Sequence, residues 1–411
     1  MKAYQPICEV LSNGTRLVYL KVPSQVAHLG FFFAAGSRHE SASQIGLAHF
    51  LEHCLFKGTE KRKALHILSR IDSVGGELNA YTAKEEMCLY ASFSKEHTQR
   101  AIDLLADISI HSTFPQKEIE KEKEVVIDEI QSYMDSPMDM IFEDFELQLF
   151  GGHPLGNDIL GSEKQVREIT KEKIINFVRK HYVPQNMVLS YAGGLNFKKF
   201  LQLCERFFGD YEGQSNYTRK ILSWEKPIFN LKITKNNHQC HSILGGVALP
   251  YQHDKRLTLM LLNNFLGGPA MNSKLNMVVR EKHGITYNIE SNFLPYRDSG
   301  IFLVYYGTEK DQMHKAEKLI TKEMQKLCNQ KLGTLQLHFA KQQLIGYLAL
   351  NGENIGGLMS SLGKSKLIFN KVESLENIIK SIEEINANQI LEIANEIILP
   401  QKLSSLTYLT Q

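Results

Sequence analysis

The residues best suited to chemistry stand close together, in an H-x-x-E-H run formed by His49, Glu52 and His53. On a helix, residues three and four positions apart share one face, so both imidazoles can reach one ion with the carboxylate beside them. Two such histidines suit zinc, and a carboxylate next to zinc can act as a general base. The flanking segments 46–48 and 54–56 are apolar. The pattern therefore predicts a helix that is buried except where it meets a metal ion.

The alternative is a core helix that carries two histidines and a glutamate by chance. A motif this short recurs by chance, so the motif alone is a hypothesis. Its apolar setting favours the metal site, because three polar groups packed against apolar surface need a partner and a cation supplies one.

A catalytic zinc ion needs a third protein ligand and one open position for water. Residues 116–135 contain a helical stripe whose spacing alternates between three and four and which includes two carboxylates; its members are Ile119, Glu122, Val126, Glu129 and Tyr133. Burying a carboxylate without compensation is costly. Both Glu122 and Glu129 are accounted for if one of them binds the metal and the other forms a hydrogen bond that supports the site.

The order of these residues resembles that of the inverted-zincin peptidases, the pitrilysin and insulinase family. In length the chain is most similar to the β-subunit of mitochondrial processing peptidase and its single-chain bacterial relatives. Segments 75–82, 153–156 and 182–187 match three further family segments, and 280–287 is similar to the family's R-x6-Y signature. The similarity spans nearly the whole chain.

This resemblance implies a role for each candidate site residue in the first half of the chain. His49, His53 and Glu129 would bind zinc, one ion per chain, and Glu122 would orient the site. Glu52 would take a proton from the attacking water and return it to the leaving amine. The activity implied is a zinc endopeptidase that hydrolyses peptides or unfolded segments.

Two pairs of residues are expected to act on the substrate. The resemblance implies that Arg280 and Tyr287 help to stabilise the oxyanion, although an arginine at a helix end and a tyrosine opening a strand are commonplace in themselves. Asn79 and Ala80 begin an alternating stretch that predicts an edge strand, which can bind a peptide as an additional strand. A strand simply paired within its own sheet is the alternative.

Composition is consistent with a globular enzyme, with 411 residues, 43% hydrophobic and 22% charged, and a net charge of +2. Near neutrality argues against nucleic acid as a partner, and no apolar run approaches the eighteen or so residues of a membrane span. The N-terminal residues lack a signal-peptide pattern, so a cytoplasmic location is expected. The six cysteines show no C-x-x-C spacing and are expected to be reduced and structural; no spacing singles out a catalytic thiol.

Strand and helix patterns mix without strict alternation, which predicts an α+β fold. Strands are predicted at 7–11, 16–22 and 29–35 and on both sides of 83–86, and helices at 44–57, 62–74, 95–112, 116–135 and 163–181. The second half repeats the order, with strands near 228–248, helices near 255–282, strands near 285–307 and a helical tail before a last strand near 403–409.

The polar segment 213–227 is the best linker candidate, dividing a catalytic domain at 1–212 from a homologous domain at 228–411. The counterpart helix at 257–266 contains no histidine and no acid, so zinc is expected in the first half alone. The resemblance implies two such halves, each a mixed, mainly antiparallel sheet with helices packed on it, forming a clamshell around a chamber.

Two other function classes remain open. The chain can be a catalytically silent partner or scaffold subunit of the same fold, or a metal-binding interaction module without hydrolysis. The complete set of site residues favours the enzyme, and the second alternative leaves Glu52 without a role. For assembly, a homodimer is the first expectation and a heterodimer with an inactive homologous subunit the second.

Overall fold

A computed structural model describes residues 5–214 and 228–411. The chain forms two compact units. Unit 1 comprises Met1–Gln131, Asn157–Lys220 and Leu350–Ser374, and unit 2 comprises Ser132–Gly156, Ile221–Ala349 and Leu375–Gln411. The predicted domains 1–212 and 228–411 are contiguous, whereas each unit combines three separate segments of the chain. Most of the predicted linker, residues 215–227, lies outside the described residues.

Unit 1 is built on a six-stranded sheet with the order β1-β2-β6-β3-β5-β4. Its strands are β1 (Ile7–Val10), β2 (Arg16–Lys21), β3 (Val26–Phe33), β4 (Glu77–Thr82), β5 (Met87–Ser94) and β6 (Met187–Gly193). The pairings are antiparallel except that of β2 with β6. Every residue of β6 is buried, which explains its continuous run of apolar and small residues.

Unit 2 contains a five-stranded sheet with the order β7-β11-β8-β10-β9. Its strands are β7 (Asn230–Lys235), β8 (Cys240–Val247), β9 (Asn288–Pro295), β10 (Gly300–Thr308) and β11 (Ser404–Thr410). The parallel pair is β11 with β7, and the other pairings are antiparallel. Without β1, the first sheet has the same order and the same parallel pair, so the predicted duplication and the α+β fold are confirmed.

Helices pack on both sheets. Those of the first half are α1 (Leu47–Leu55), α2 (Ala64–Asp72), α3 (Thr98–Ile110), α4 (Gln116–Met134), α5 (Pro137–Phe150), α6 (Glu163–Arg167), α7 (Lys171–His181) and α8 (Phe197–Phe208). Those of the second half are α9 (Arg256–Gly267), α10 (Met313–Asn329), α11 (Thr334–Gly352), α12 (Ile355–Phe369), α13 (Leu375–Glu384) and α14 (Ala387–Ile393), with π-helical segments at Asn276–Lys282 and Ala394–Ile398. No described helix is long and apolar enough to cross a membrane.

Several predicted helices differ from those observed. The helix expected over 163–181 is two helices, because Ser162 caps α6 and Thr170 accepts a hydrogen bond that starts α7. The helices expected near 255–282 correspond to α9 and the π-helix Asn276–Lys282. No element was predicted where α5, β6 and α8 lie.

Each unit is completed by one helix from the other half of the sequence. In unit 1, α12 covers a face of the sheet, where Met359 and Leu362 join the buried cluster of Val18 and Phe32. In unit 2, apolar residues of α5 pack on the second sheet in a cluster that includes Ile141, Phe145, Leu149, Ile243, Leu303 and Leu406. In the first half α5 follows α3 and α4 after β5, and in the second half α12 follows α10 and α11 after β10. The exchanged helix therefore holds the same place in the element order of each half.

The close packing of α12 on β3 leads to a prediction about Gly363. A Cβ atom at Gly363 would overlap the ring of Phe32, which is fully buried. We expect Gly363→Ala to lower the free energy of unfolding by about 1–3 kcal/mol, as overpacking does. The control is Gly346→Ala on α11, where nothing lies within 4 Å of the new atom.

Because alanine favours a helix, Gly346→Ala is expected to raise the free energy of unfolding by up to about 1 kcal/mol. Urea unfolding of the two variants measures both effects. Equal changes of the same sign in the free energy of unfolding of the two variants would contradict close packing at Gly363.

Candidate metal centre

Helix α1 begins in an unusual way. Its N-cap residue, Gly46, has a left-handed φ of 88° and no side chain to cap the helix. Glu40 takes that role, because its Oε2 accepts a hydrogen bond from the Gly46 amide at 3.1 Å and its Oε1 accepts one from Ala48 at 2.6 Å. A carboxylate is favourable at this positive end of the helix dipole. Glu40 therefore fixes the first turn of the helix that carries the H-x-x-E-H run.

Three potential metal ligands converge between α1 and α4. The Nε2 atoms of His49 and His53 lie 3.7 and 3.4 Å from Oε2 of Glu129, and ligand atoms of all three residues lie within 4.8 Å of one another. Tetrahedral zinc with ligand distances near 2.0–2.2 Å places its ligand atoms about 3.4 Å apart. The donor set and its spacing therefore fit a zinc ion.

The two imidazoles differ in their surroundings. Burial, and then the neighbouring His53, lower the pKa of His49 to about 3, so its ring is neutral and keeps a lone pair for a metal. Nδ1 of His49 is buried without a hydrogen-bond partner among the described residues. Nδ1 of His53 lies 3.0 Å from Oε1 of Glu122. An Nδ1–H that donates to this carboxylate leaves Nε2 free to bind a metal.

Glu122 is held from two sides. Its Oε2 lies 2.6 Å from Nζ of Lys57, and its side chain is only 6% exposed. Burial raises the pKa of Glu122, but the hydrogen bonds from His53 and Lys57 outweigh burial and lower it overall. For His53, burial lowers the pKa, and the hydrogen bond to Glu122 and the neighbouring carboxylates raise it overall.

Glu52 lies beside the three ligands and is oriented by a hydroxyl group. Oγ1 of Thr82 donates to its Oε2 at 2.6 Å. Burial raises the pKa of Glu52, and the Thr82 hydrogen bond and the charge of His53 only partly offset this. A carboxylate with a raised pKa is better suited to accept and return protons near neutral pH.

Strand β4 ends at Thr82 and is an edge strand, as predicted. Asn79 and Ala80 pair with Tyr90 and Leu89 of β5 on one side, and no strand of the described residues pairs on the other. The Asn79 side chain is turned onto its own strand, since its Oδ1 accepts a hydrogen bond from the Ala80 amide at 2.8 Å.

Arg280 and Tyr287 belong to unit 2, whereas the five acidic and histidine residues of the predicted site belong to unit 1. Arg280 lies in the π-helix Asn276–Lys282, with its Nε 3.7 Å from Oε1 of Glu281. Tyr287, just before β9, is 86% exposed. Their role toward a substrate stays a prediction.

Sequence reasoning did not identify three residues that hold the site. Thr82 ends the matched segment 75–82, so the motif itself contained a signal for it. Lys57 lies one turn after His53, at a spacing that places it near the same face of the helix end. Glu40 had no usable signal, because its contact with α1 depends on the path of the intervening loop.

Two family models match the chain. Residues 16–163 match the insulinase family, peptidase family M16, and residues 168–344 match the peptidase M16 inactive domain. The first range contains all three of the converging ligands. In the second range the described residues contain no comparable group of histidines and acids.

Similarity to curated relatives and to solved structures agrees with these two family matches. The chain is 35% identical over 389 residues to the uncharacterized zinc protease YmxG of Bacillus subtilis, covering 94% of each chain. It is 34% identical over 390 residues to an uncharacterized zinc protease of Rickettsia felis, covering 94% of this chain and 93% of that one. A protease from Helicobacter pylori has the same fold, with a TM-score of 0.92, 20% identity and coverage of 99% and 100%.

Proposed function

Because the chain belongs to the insulinase family of peptidases, M16, we propose that it is a zinc-dependent endopeptidase that hydrolyses peptides or unfolded protein segments. The observation that carries this proposal is the convergence of His49, His53 and Glu129, with Glu52 beside them. A silent scaffold of the same fold has no need of this complete set, and a metal-binding module has no need of Glu52.

In the proposed mechanism each residue has one task. His49, His53 and Glu129 would hold one zinc ion, which when bound would lower the pKa of water and polarise a carbonyl group. Glu52 accepts a proton from the attacking water and passes it to the leaving amine. Thr82 donates to one oxygen of Glu52 and so leaves the other oxygen free for this transfer.

The edge of β4 supports a mode of substrate binding. A peptide that adds to this edge is held by backbone hydrogen bonds, which require an extended segment and read side chains weakly. Asn79 and Ala80 lie on this strand, and its end is hydrogen-bonded to Glu52 through Thr82. Extended binding would favour unfolded segments over folded proteins. Donation by Arg280 and Tyr287 to the oxyanion, and assembly as a homodimer, remain predictions.

Metal removal tests the proposed activity. The chelated chain is expected not to cleave a mixed set of unstructured peptides, and addition of zinc to one ion per chain is expected to restore cleavage. Mass spectrometry of the products and of the metal content measures both. Equal cleavage by the chelated chain, or none by a chain that holds one zinc ion, would contradict the proposal.

A further inference from the structure

A chain of short contacts leads from Lys57 to the candidate ligands. Nζ of Lys57 lies 2.6 Å from Oε2 of Glu122, and Oε1 of the same carboxylate lies 3.0 Å from Nδ1 of His53. The opposite nitrogen of His53, Nε2, lies 3.4 Å from Oε2 of Glu129. Each oxygen of Glu122 thus has its own donor, and the imidazole stands between Glu122 and the metal position.

We propose that Lys57 is a positioning residue for the metal centre: through Glu122 it fixes the orientation of His53. This inference rests on the proposed function, since it assumes that His53 binds zinc. In this role Lys57 contacts neither substrate nor metal.

Burial explains why Glu122 needs Lys57. The Glu122 side chain is 6% exposed, so an oxygen without a donor would be left almost without water. With only His53 as a partner, the Glu122 carboxylate is free to rotate about the bonds of its side chain, because its second oxygen has no donor. Lys57 donates to the second oxygen and prevents this rotation. The fixed carboxylate in turn holds the imidazole of His53 in one orientation.

The contrast between the two histidines makes this support important. Nδ1 of His49 has no hydrogen-bond partner among the described residues, so no hydrogen bond behind the metal position fixes the orientation of that ring. His53 is less buried than His49 and is the one whose ring is held by a hydrogen bond. Hydrogen-bonded partners behind metal-binding histidines typically contribute 10–100-fold to metal affinity.

A purely structural role for Lys57 predicts something different. Its side chain is 27% exposed but that of Glu122 is only 6% exposed, so the loss of Lys57 leaves a buried carboxylate with one donor fewer and lowers stability in either role. If Lys57 only stabilised the fold, its loss would lower the free energy of unfolding of the metal-free chain and leave zinc affinity of the folded chain unchanged. Zinc affinity and its dependence on Glu122 therefore separate the two roles.

The experiment measures zinc affinity of the full chain by competition with a chromogenic chelator, for wild type, Lys57→Met, Glu122→Gln and the double variant. The control is Lys61→Met, because Lys61 is exposed and makes no ion pair among the described residues. Urea unfolding of each metal-free protein is measured in parallel. Lys57→Arg, which keeps the charge, serves as a second variant should Lys57→Met fold poorly.

We expect Lys57→Met to weaken zinc binding about tenfold, with Lys61→Met unchanged and Lys57→Arg close to wild type. In the Glu122→Gln background, Lys57→Met is expected to have little further effect, because its partner is already altered. Equal affinity of Lys57→Met and Lys61→Met, or an undiminished loss in the Glu122→Gln background, would overturn the inference alone. A wild-type chain that binds no zinc would overturn the proposed function as well.

Discussion

Replacement of Glu52 by glutamine is expected to lower peptide turnover by about 10²–10⁴-fold while zinc affinity and the free energy of unfolding stay near wild-type values. Glutamine has nearly the shape of glutamate but cannot take a proton from water. Its side-chain oxygen can still accept the hydrogen bond from Thr82, which is 2.6 Å long in the native chain. The three candidate zinc ligands are untouched, so the metal should remain.

The matched control is Glu60→Gln, the same change at an exposed glutamate eight residues further along the chain. Both variants and wild type are loaded with zinc and assayed on the same unstructured peptides, with metal content and urea unfolding measured alongside. Cleavage by Glu52→Gln at the wild-type rate would show that another group acts as the base. Loss of zinc from this variant would instead place Glu52 among the metal-binding residues.

Helix spacing was sufficient to predict which candidate residues share a face, because that spacing is local, whereas the pairing of α1 with α4 was expected from the need for a third ligand and from the family resemblance. His49, Glu52 and His53 share a face through helix geometry, and Glu122 and Glu129 share another on α4. Contacts that depend on tertiary structure were not predictable in this way. The bond from Glu40 to the start of α1 is one example, since nothing in helix spacing connects them.

The fold was predictable to a similar degree. Alternating and helical patterns predicted most of the strands and helices, though not α5, β6 or α8, and also the duplication that the repeated strand order confirms. They did not indicate that α5 and α12 pack in the unit of the opposite half. Periodicity shows which face of a helix is apolar, but several sheets can cover such a face equally well.

The exchange of helices leads to the second prediction, which concerns the first half alone. Expressed as residues 1–220, it is expected not to fold stably, because it lacks α12. The three apolar side chains that α12 buries in unit 1, Met359, Leu362 and Leu367, contribute roughly 1.5–3 kcal/mol each. Their sum is comparable to the whole stability of a typical domain, about 5–15 kcal/mol.

Removal of α12 would also expose buried side chains of the sheet, including Val18 and Phe32, and favour aggregation. Coexpression of residues 221–411 is expected to restore a soluble complex, because that fragment supplies α12 and receives α5 in return. Size-exclusion chromatography and urea unfolding of the single and coexpressed fragments measure the effect. A soluble 1–220 fragment with a cooperative transition near that of the full chain would mean that α12 is dispensable to unit 1. The predicted contiguous domain 1–212 would then be the true folding unit, and Gly363→Ala should cause little loss of stability.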